Sequence, residues 1–256
     1  MERKELFNTV VHDYAQARPG YPQAMIDDLI NLAQFEKKSH ILEIGCGAGQ
    51  ATQLLLDNRF RVTAVELGKN LADHCRTRFE NYPDFEIINT SFEDFNTDQC
   101  FDVIFAASSF HWVDQETAYL KSHELLNDNG YLMLCWNSKL DQSDQGPVFS
   151  EIASVYEKYA PEMKKNNHKL FQHEFRIEQI IKDKLFTYPL YLTYPYERSL
   201  NANQYLQLLN TYSDHIALDP DTKNKLFSQI KQIIMNNGDS LLLDYEVKCY
   251  ISKKLS

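Results

Sequence analysis

The chemistry legible in this sequence rests on two acids, a group of glycines and a histidine–tryptophan pair. Glu43 stands just before Gly45, Gly47 and Gly49, and Glu66 closes the β-branched run from Val62 to Val65. Glycines adopt positive φ and, lacking a Cβ, let a ligand lie against the backbone. A carboxylate ~20 residues beyond such a turn is placed to accept hydrogen bonds from both hydroxyls of a ribose. An acid at Glu43 suits an ammonium group, reached directly or through water, and repels a pyrophosphate. The implied ligand is a nucleoside with a cationic amino-acid arm. The dinucleotide spacing G-x-G-x-x-G is not met, because Gln50 stands where its third glycine belongs. Further along, His111 is the nearest credible candidate for a general base, should the reaction need one, since its reference pKa is close to neutrality. Trp112 beside it and Trp136 are candidates for substrate contact.

These residues need a scaffold that delivers them to one edge. Ile41, Leu42 and Ile44 read as a strand, a helix begins near Ala48 and runs to Asp57, and Val62 to Val65 form the next strand. A helix over Lys69–Asn81 follows, ended by Pro83, and then a strand at Phe85, Ile87 and Ile88. Val103, Ile104 and Phe105 form a buried strand, with the small Ala106 and Ala107 at its end leaving room for a ligand. A helix over Gln115–Leu126, a turn at Asn127–Gly130 with a left-handed glycine, and a strand over Tyr131–Trp136 complete the alternation. Open α/β sheets hold ligands at the carboxyl ends of their strands, where Glu66, His111 and Trp136 all fall.

From Ser138 to about Leu185 the alternation lapses. Two amphipathic helices, Val148–Tyr159 and Phe175–Leu185, are expected there as a lid, with Tyr156, Tyr159, His168, Phe171, His173 and Phe175 lining a pocket or the lid's own core. An aromatic strand from Phe186 to Tyr196 follows, then helices over Ala202–Tyr212, capped by Asn201, and Pro220–Met235, then a closing strand in LLLDYEVKCYIS. At the other end, residues 1–18 are partly helical. Pro19, Gly20 and Pro22 make a stiff turn, with Pro22 at the first position of the helix through Met25, Ile26, Leu29 and Ile30.

EIGCGAG together with Glu66 resembles the first two motifs of the class I S-adenosylmethionine-dependent methyltransferases. The stretch YAQARPGYP, the small-residue strand followed by His111 and Trp112, and the TYSDH stretch resemble the trans-aconitate methyltransferase-like, or methyltransferase type 11, subgroup. The resemblance implies a doubly wound seven-stranded α/β sheet, Rossmann-like, with an antiparallel last strand inserted beside the fifth and a helical lid. It implies S-adenosyl-L-methionine as cofactor, held by Glu43, Gly45, Cys46, Gly47, Gly49, Glu66, Leu67, Ser91, Phe92, Glu93 and Ala106. It also implies an N-terminal segment folded over the cofactor, with Arg18 on a carboxylate and Tyr14 near the substrate. Asp94 rivals Glu93 as the adenine contact. The expected domains are a core with its N-terminal cap over 1–137, a lid over 138–185, and the rest of the core over 186–256. The activity implied is methyl transfer to a small acceptor, a carboxylate or a hydroxyl. The alternatives are an NAD-dependent oxidoreductase on a related fold and a non-catalytic nucleoside-binding regulator.

Composition sets the outer bounds. The 256 residues are 43% hydrophobic with eight glycines and eight prolines, which suits a globular chain. A net charge of −10, with no basic stripe, argues against a nucleic-acid partner. Five cysteines without a C-x-x-C pair support neither a disulfide framework nor a zinc site, and no metal is expected. With no signal-peptide core and no long apolar run, a reducing cytoplasm and no membrane partner are expected.

Overall fold

The computed structural model describes residues 11–33, 38–140, 146–163 and 172–256. In chain order its elements are α1 (Val11–Ala17), α2 (Gln23–Ala33), β1 (His40–Ile44), α3 (Gln50–Asp57), β2 (Arg61–Glu66), α4 (Lys69–Arg78), β3 (Phe85–Asn89) and β4 (Phe101–Ala107). After a 3-10 turn at Phe110–Trp112 come α5 (Gln115–Leu125), β5 (Leu126–Lys139), α6 (Pro147–Tyr159), α7 (His173–Ile181), β6 (Leu190–Leu200), α8 (Ala202–Leu209), α9 (Ser213–Ile216), α10 (Pro220–Asn236) and β7 (Leu241–Lys253). The seven strands form one sheet in the order β3-β2-β1-β4-β5-β7-β6.

The centre of the sheet is parallel, with α3, α4 and α5 forming the crossovers from β1 to β2, β2 to β3 and β4 to β5. β1 pairs with β2, Ile41 beside Val62 and Ile44 beside Val65, and on its other side with β4, Glu43 beside Phe105. β1 thus lies inside the sheet with both edges paired, and its last four residues are buried. This is the run of apolar residues expected of a strand covered on both faces. β7 breaks the pattern: the Leu140 N–H donates to the Asp244 carbonyl and the Lys254 N–H to the Gly130 carbonyl, both at 2.9 Å, so β7 runs antiparallel to β5. The expected doubly wound, seven-stranded sheet with an antiparallel last strand is therefore the fold observed.

The chain divides into two compact units. One comprises 19–137, 168–194 and 247–256; its core gathers Leu42, Ile44, Phe101, Ile104, Phe110, Leu132, Trp136 and Tyr250. The other comprises 1–18, 138–167 and 195–246, and its core is built from Ile152, Tyr205, Leu208, Leu226, Ile230, Ile234 and Tyr245. The segment 138–185, expected as one lid, is shared between them: α6 belongs to the second unit with α8 and α10, whereas α7 belongs to the first.

Several element limits differ from the sequence reading for local reasons. α3 starts at Gln50 and not near Ala48, because Gly49 at its N-cap is left-handed with φ 83°. Pro22 lies one residue before α2, where its carbonyl accepts from Met25 N–H at 3.1 Å. α4 ends at Arg78, as Phe79 closes it. Gly130 is not left-handed as expected for a helix stop; the chain passes from α5 straight into β5, and a Cβ at Gly130 would lie 2.8 Å from Leu126 Cδ2 and 3.0 Å from the Asn127 carbonyl. Glycine is required there for close approach. α7 begins earlier and ends sooner than expected, α8 stops at Leu209, and the sixth strand starts at Leu190, with Phe186 forming only an isolated bridge to Lys254. The expected helix within residues 1–18 is described only over Val11–Ala17.

Asn201 caps α8 as expected: its side chain accepts from Gln204 N–H, and the Gln204 side chain accepts from Asn201 N–H, a reciprocal capping box. Asn201→Ala is expected to cost about 1 kcal/mol, measured as a lower urea midpoint with an unchanged slope.

Candidate functional site

The turn after β1 is held open by three left-handed glycines, Gly45 (φ 67°), Gly47 (φ 60°) and Gly49 (φ 83°). For two of them the packing shows why no side chain fits. Gly45 N–H donates to the Val65 carbonyl at 2.7 Å, and a Cβ at Gly45 would lie 2.7 Å from Ser109 Cβ. A Cβ at Gly49 would meet the buried ring of Phe79 at 2.5 Å. The turn is therefore packed from behind by β4's exit and by the end of α4, and its glycine N–H groups hold its shape, Gly47 N–H on Glu66 and Gly49 N–H on the Cys46 carbonyl at 3.0 Å.

Glu66 ties this turn to the next. Its Oε2 accepts from Gly47 N–H at 2.9 Å and its Oε1 from Gly68 N–H at 2.8 Å. Burial raises its pKa, and these backbone donors offset part of the rise. A carboxylate has about four lone-pair positions, so two oxygens already bonded to amides keep capacity for ligand hydroxyls. Leu67, the next residue, is exposed at 39%. The sequence reading missed Asn89 at the end of β3, whose Nδ2 donates to the Glu66 and Leu67 carbonyls at 2.8 and 3.0 Å. Nothing in the spacing of Asn89 sets it apart from a loop asparagine, which is why it escaped notice.

Glu43 lies beneath the turn, 1% exposed, and accepts from Thr52 Oγ1 of α3 at 2.6 Å. Burial, with repulsion from Glu66, pushes its pKa up to about 7 against the Thr52 hydrogen bond. Cys46 is buried, its Sγ 3.9 Å from Cys75 Sγ.

After β3, Ser91 Oγ donates to Asp94 Oδ2 at 2.7 Å and accepts from Asp94 N–H. Phe92, expected among the cofactor contacts, is turned into the core at 3% exposure. Glu93 accepts from Asp114 N–H at 3.2 Å, which leaves it beside the turn that starts α5. Ala106 is buried in β4, opposite Leu134. Ser109 packs on Gly45 and donates to the Ile44 carbonyl, so the 3-10 turn bearing His111 and Trp112 begins directly against the glycine turn.

Past that turn lies a pocket lined by Phe110 and His111, by Gln115 and Tyr119 of α5, by Trp136 of β5, and by Phe175, Arg176 and Gln179 of α7. Trp136 Nε1 donates to His111 Nδ1 at 3.1 Å. A neutral ring that accepts at Nδ1 carries its proton on Nε2. Burial, reinforced by the Arg176 charge, lowers the His111 pKa to about 4. His111 is thus a neutral group and a weak base, which counts against the general-base role expected of it. Arg176, 5% exposed, stacks its guanidinium 3.8 Å above the Trp136 ring. Burial lowers its pKa, while a hydrogen bond to Tyr250 raises it. An arginine remains charged at such a site. Because the guanidinium only donates, Tyr250 accepts from it, and the Tyr250 hydroxyl also lies 3.0 Å from His173 Nδ1. Sequence reasoning named Phe175 and His173 in this segment but missed Arg176, which reads as a solvated helix charge until its burial is seen. His168 and Phe171 lie outside the described residues.

Arg18 and Tyr14 belong to the other unit. Arg18 Nη2 donates to the Thr211 carbonyl at 2.7 Å, and its guanidinium sits between the rings of Tyr212 and Tyr14, 4.6 and 5.0 Å from their centroids. Among the described residues no group of histidine, cysteine and acids could hold a metal ion, and no helix is long and apolar enough to cross a membrane.

Residues 42–134 match the family described as a methyltransferase domain, spanning β1 through the middle of β5 with both acids, the glycine turn and His111. The chain is a class I S-adenosylmethionine-dependent methyltransferase. It is 26% identical, over 97% of its length and 95% of the relative's, to an uncharacterized methyltransferase-like protein of Schizosaccharomyces pombe. Its fold is shared with a type II methyltransferase from Anaeromyxobacter dehalogenans, at TM-score 0.63 and 18% identity over 91% of this chain and 97% of that one. It is shared too with an N-methyltransferase from Haemonchus contortus in complex with phosphomonomethylethanolamine and S-adenosylhomocysteine, at TM-score 0.58 and 14% identity, covering all of this chain and 61% of that one. The oxidoreductase alternative is set aside by these matches.

The raised pKa of Glu43 gives the methyltransferase a pH-dependent stability. Its folded value, about 7, exceeds the ordinary 4.5, so the folded form binds the extra proton. The contribution is fully present below pH ~4.5 and is lost as pH rises through 7, by roughly 3 kcal/mol. Glu43→Gln keeps an acceptor for Thr52 and removes this dependence. The thermal midpoint of the variant relative to the parent is expected to rise between pH 5 and pH 8, measured by calorimetric scans at both.

Proposed function

We propose that the enzyme transfers the methyl group of S-adenosyl-L-methionine to a carboxylate of a small acceptor, and that the pocket at His111 and Arg176 holds that acceptor. The cofactor reading is carried by Glu66: its buried carboxylate faces the glycine turn with both oxygens set by backbone amides, which suits a ribose. Gly45, Cys46, Gly47 and Gly49 supply the backbone surface for the amino-acid arm, and Glu43 below them supplies the charge complement of its ammonium group. Leu67, with Ser91, Glu93 and the backbone at Phe92, borders the nucleoside end, and Ala106 leaves space beneath it.

Bound S-adenosylmethionine supplies a methyl group already activated by its sulfonium. The protein's task is then to align the acceptor, exclude water and neutralise charge. A carboxylate is ionised at neutral pH and needs no base, which matches a histidine whose pKa is lowered to about 4. His111 Nε2–H serves as a hydrogen-bond donor, and Arg176, fixed flat on Trp136, offers planar donors to a carboxylate. Gln179 adds an amide donor, and among the described residues no acid lines the pocket. Trp112 and the aromatic lining hold the acceptor's apolar part. A hydroxyl acceptor would demand a stronger base than this site contains.

Two measurements test this reading. Calorimetric titration with S-adenosylhomocysteine should show binding that weakens about 10- to 100-fold in Glu66→Ala, the loss of a buried ribose partner, with no binding of NAD. Unchanged affinity would remove Glu66 from the cofactor site. With a carboxylate acceptor, His111→Gln should lower kcat less than about 10-fold, below the 10²- to 10⁴-fold expected of a general base. Arg176→Gln should raise the acceptor KM while S-adenosylhomocysteine affinity holds. A rate that follows a histidine titration near neutrality would return His111 to the role of base.

A further inference from the structure

The mechanism makes no use of the two fully buried cysteines Cys135 of β5 and Cys249 of β7. The hydrogen bonds Leu140 N–H to Asp244 and Lys254 N–H to Gly130 fix the register of these antiparallel strands. In that register Cys135 stands directly opposite Cys249, at a pair that exchanges no backbone hydrogen bonds. Such pairs bring their Cα atoms to ~4.5 Å with side chains on the same face, inside the range that a disulfide spans. The two sulfurs are 2.8 Å apart. Non-bonded carbons prefer ~3.5–4.0 Å, and sulfur is the larger atom. At that distance no side chain separates them.

We propose that Cys135 and Cys249 are a site of disulfide formation that staples β5 to β7. The reaction is thiol–disulfide exchange with a low-molecular-weight disulfide such as oxidised glutathione. One cysteine thiolate attacks a glutathione sulfur and releases one glutathione thiolate. The second cysteine then displaces the remaining glutathione, giving one intrachain S–S bond and two glutathione thiols. Burial and the Cys249 contact hold Cys135 as a thiol in the folded state, so exchange occurs while β7 is away from β5, during folding or local opening. The bond joins residues far apart in sequence, constraining the unfolded chain more than a short loop would. It lies one residue before Trp136 and one before Tyr250, whose rings meet at 5.8 Å, and so fixes the floor on which Arg176 rests.

The test is refolding of the whole chain from denaturant in a reduced and oxidised glutathione mixture, followed by maleimide labelling under denaturing conditions and peptide mapping. The number of labelled cysteines should fall from five to three, and the map should contain a linked pair carrying Cys135 and Cys249. The oxidised protein should melt higher than the reduced one, by on the order of 5 °C. Cys135→Ser and Cys249→Ala, each assayed separately, should keep all four remaining thiols. Labelling of all five cysteines in the parent, or a linked pair of Cys46 with Cys75, would overturn the proposal.

Discussion

The first and second βα turns of this enzyme converge on one buried carboxylate. Glu66 accepts Gly47 N–H with one oxygen and Gly68 N–H with the other, and Asn89 secures the carbonyls on either side of the Glu66–Leu67 peptide. A carboxylate in so little water is costly unless its oxygens are satisfied. The amides that satisfy it also fix its direction. The left-handed glycines, the ring of Phe79 behind Gly49 and the Ser109 side chain behind Gly45 all shape the loop that makes this possible. Were Glu66 displaced, two amides and the adjoining turn would lose their common anchor.

A second acid deepens the arrangement. Glu43 shares the electrostatic field of Glu66 and lies under the same loop, bonded to Thr52. Two buried carboxylates near each other keep one reluctant to ionise. A cation delivered to this loop relieves that reluctance, so the loop favours ligands that bring their own positive charge. The pocket at His111 follows the opposite rule. There the cation belongs to the protein, as Arg176 on Trp136, and the neighbouring imidazole stays neutral. The two regions are complementary in sign to the two ends of the proposed reaction.

Local pattern made the centre of the sheet legible. β1, β2 and β4 are covered on both faces, so their sequences are continuous apolar runs, and the glycine turn between β1 and α3 has no common alternative reading. The acids were legible because their positions relative to that turn are set by the βαβ repeat. Long-range packing was less legible. Phe92 reads as a cofactor contact, and its ring lies in the same buried cluster as Phe95 and Phe110. Gly130 reads as a helix stop but serves the contact with Leu126. Arg176 and Asn89 owe their roles to partners distant in sequence, and the lowered basicity of His111 is a property of burial that no spacing reveals.

The insertion of β7 between β5 and β6 has a consequence for how the chain acquires its shape. Both flanking strands precede β7 in the sequence, so neither can gain its final neighbour until the C-terminal strand has been made. Until then β5, with Leu132, Met133, Leu134 and Cys135 destined for the interior, presents an unpaired apolar edge. A chain emerging from the ribosome can assemble β1 to β4 from near neighbours, whereas closing the sheet waits on contacts of long sequence separation, the slow kind. The native topology thus stores a vulnerable interval in synthesis, during which the edge of β5 is open to pairing with another chain.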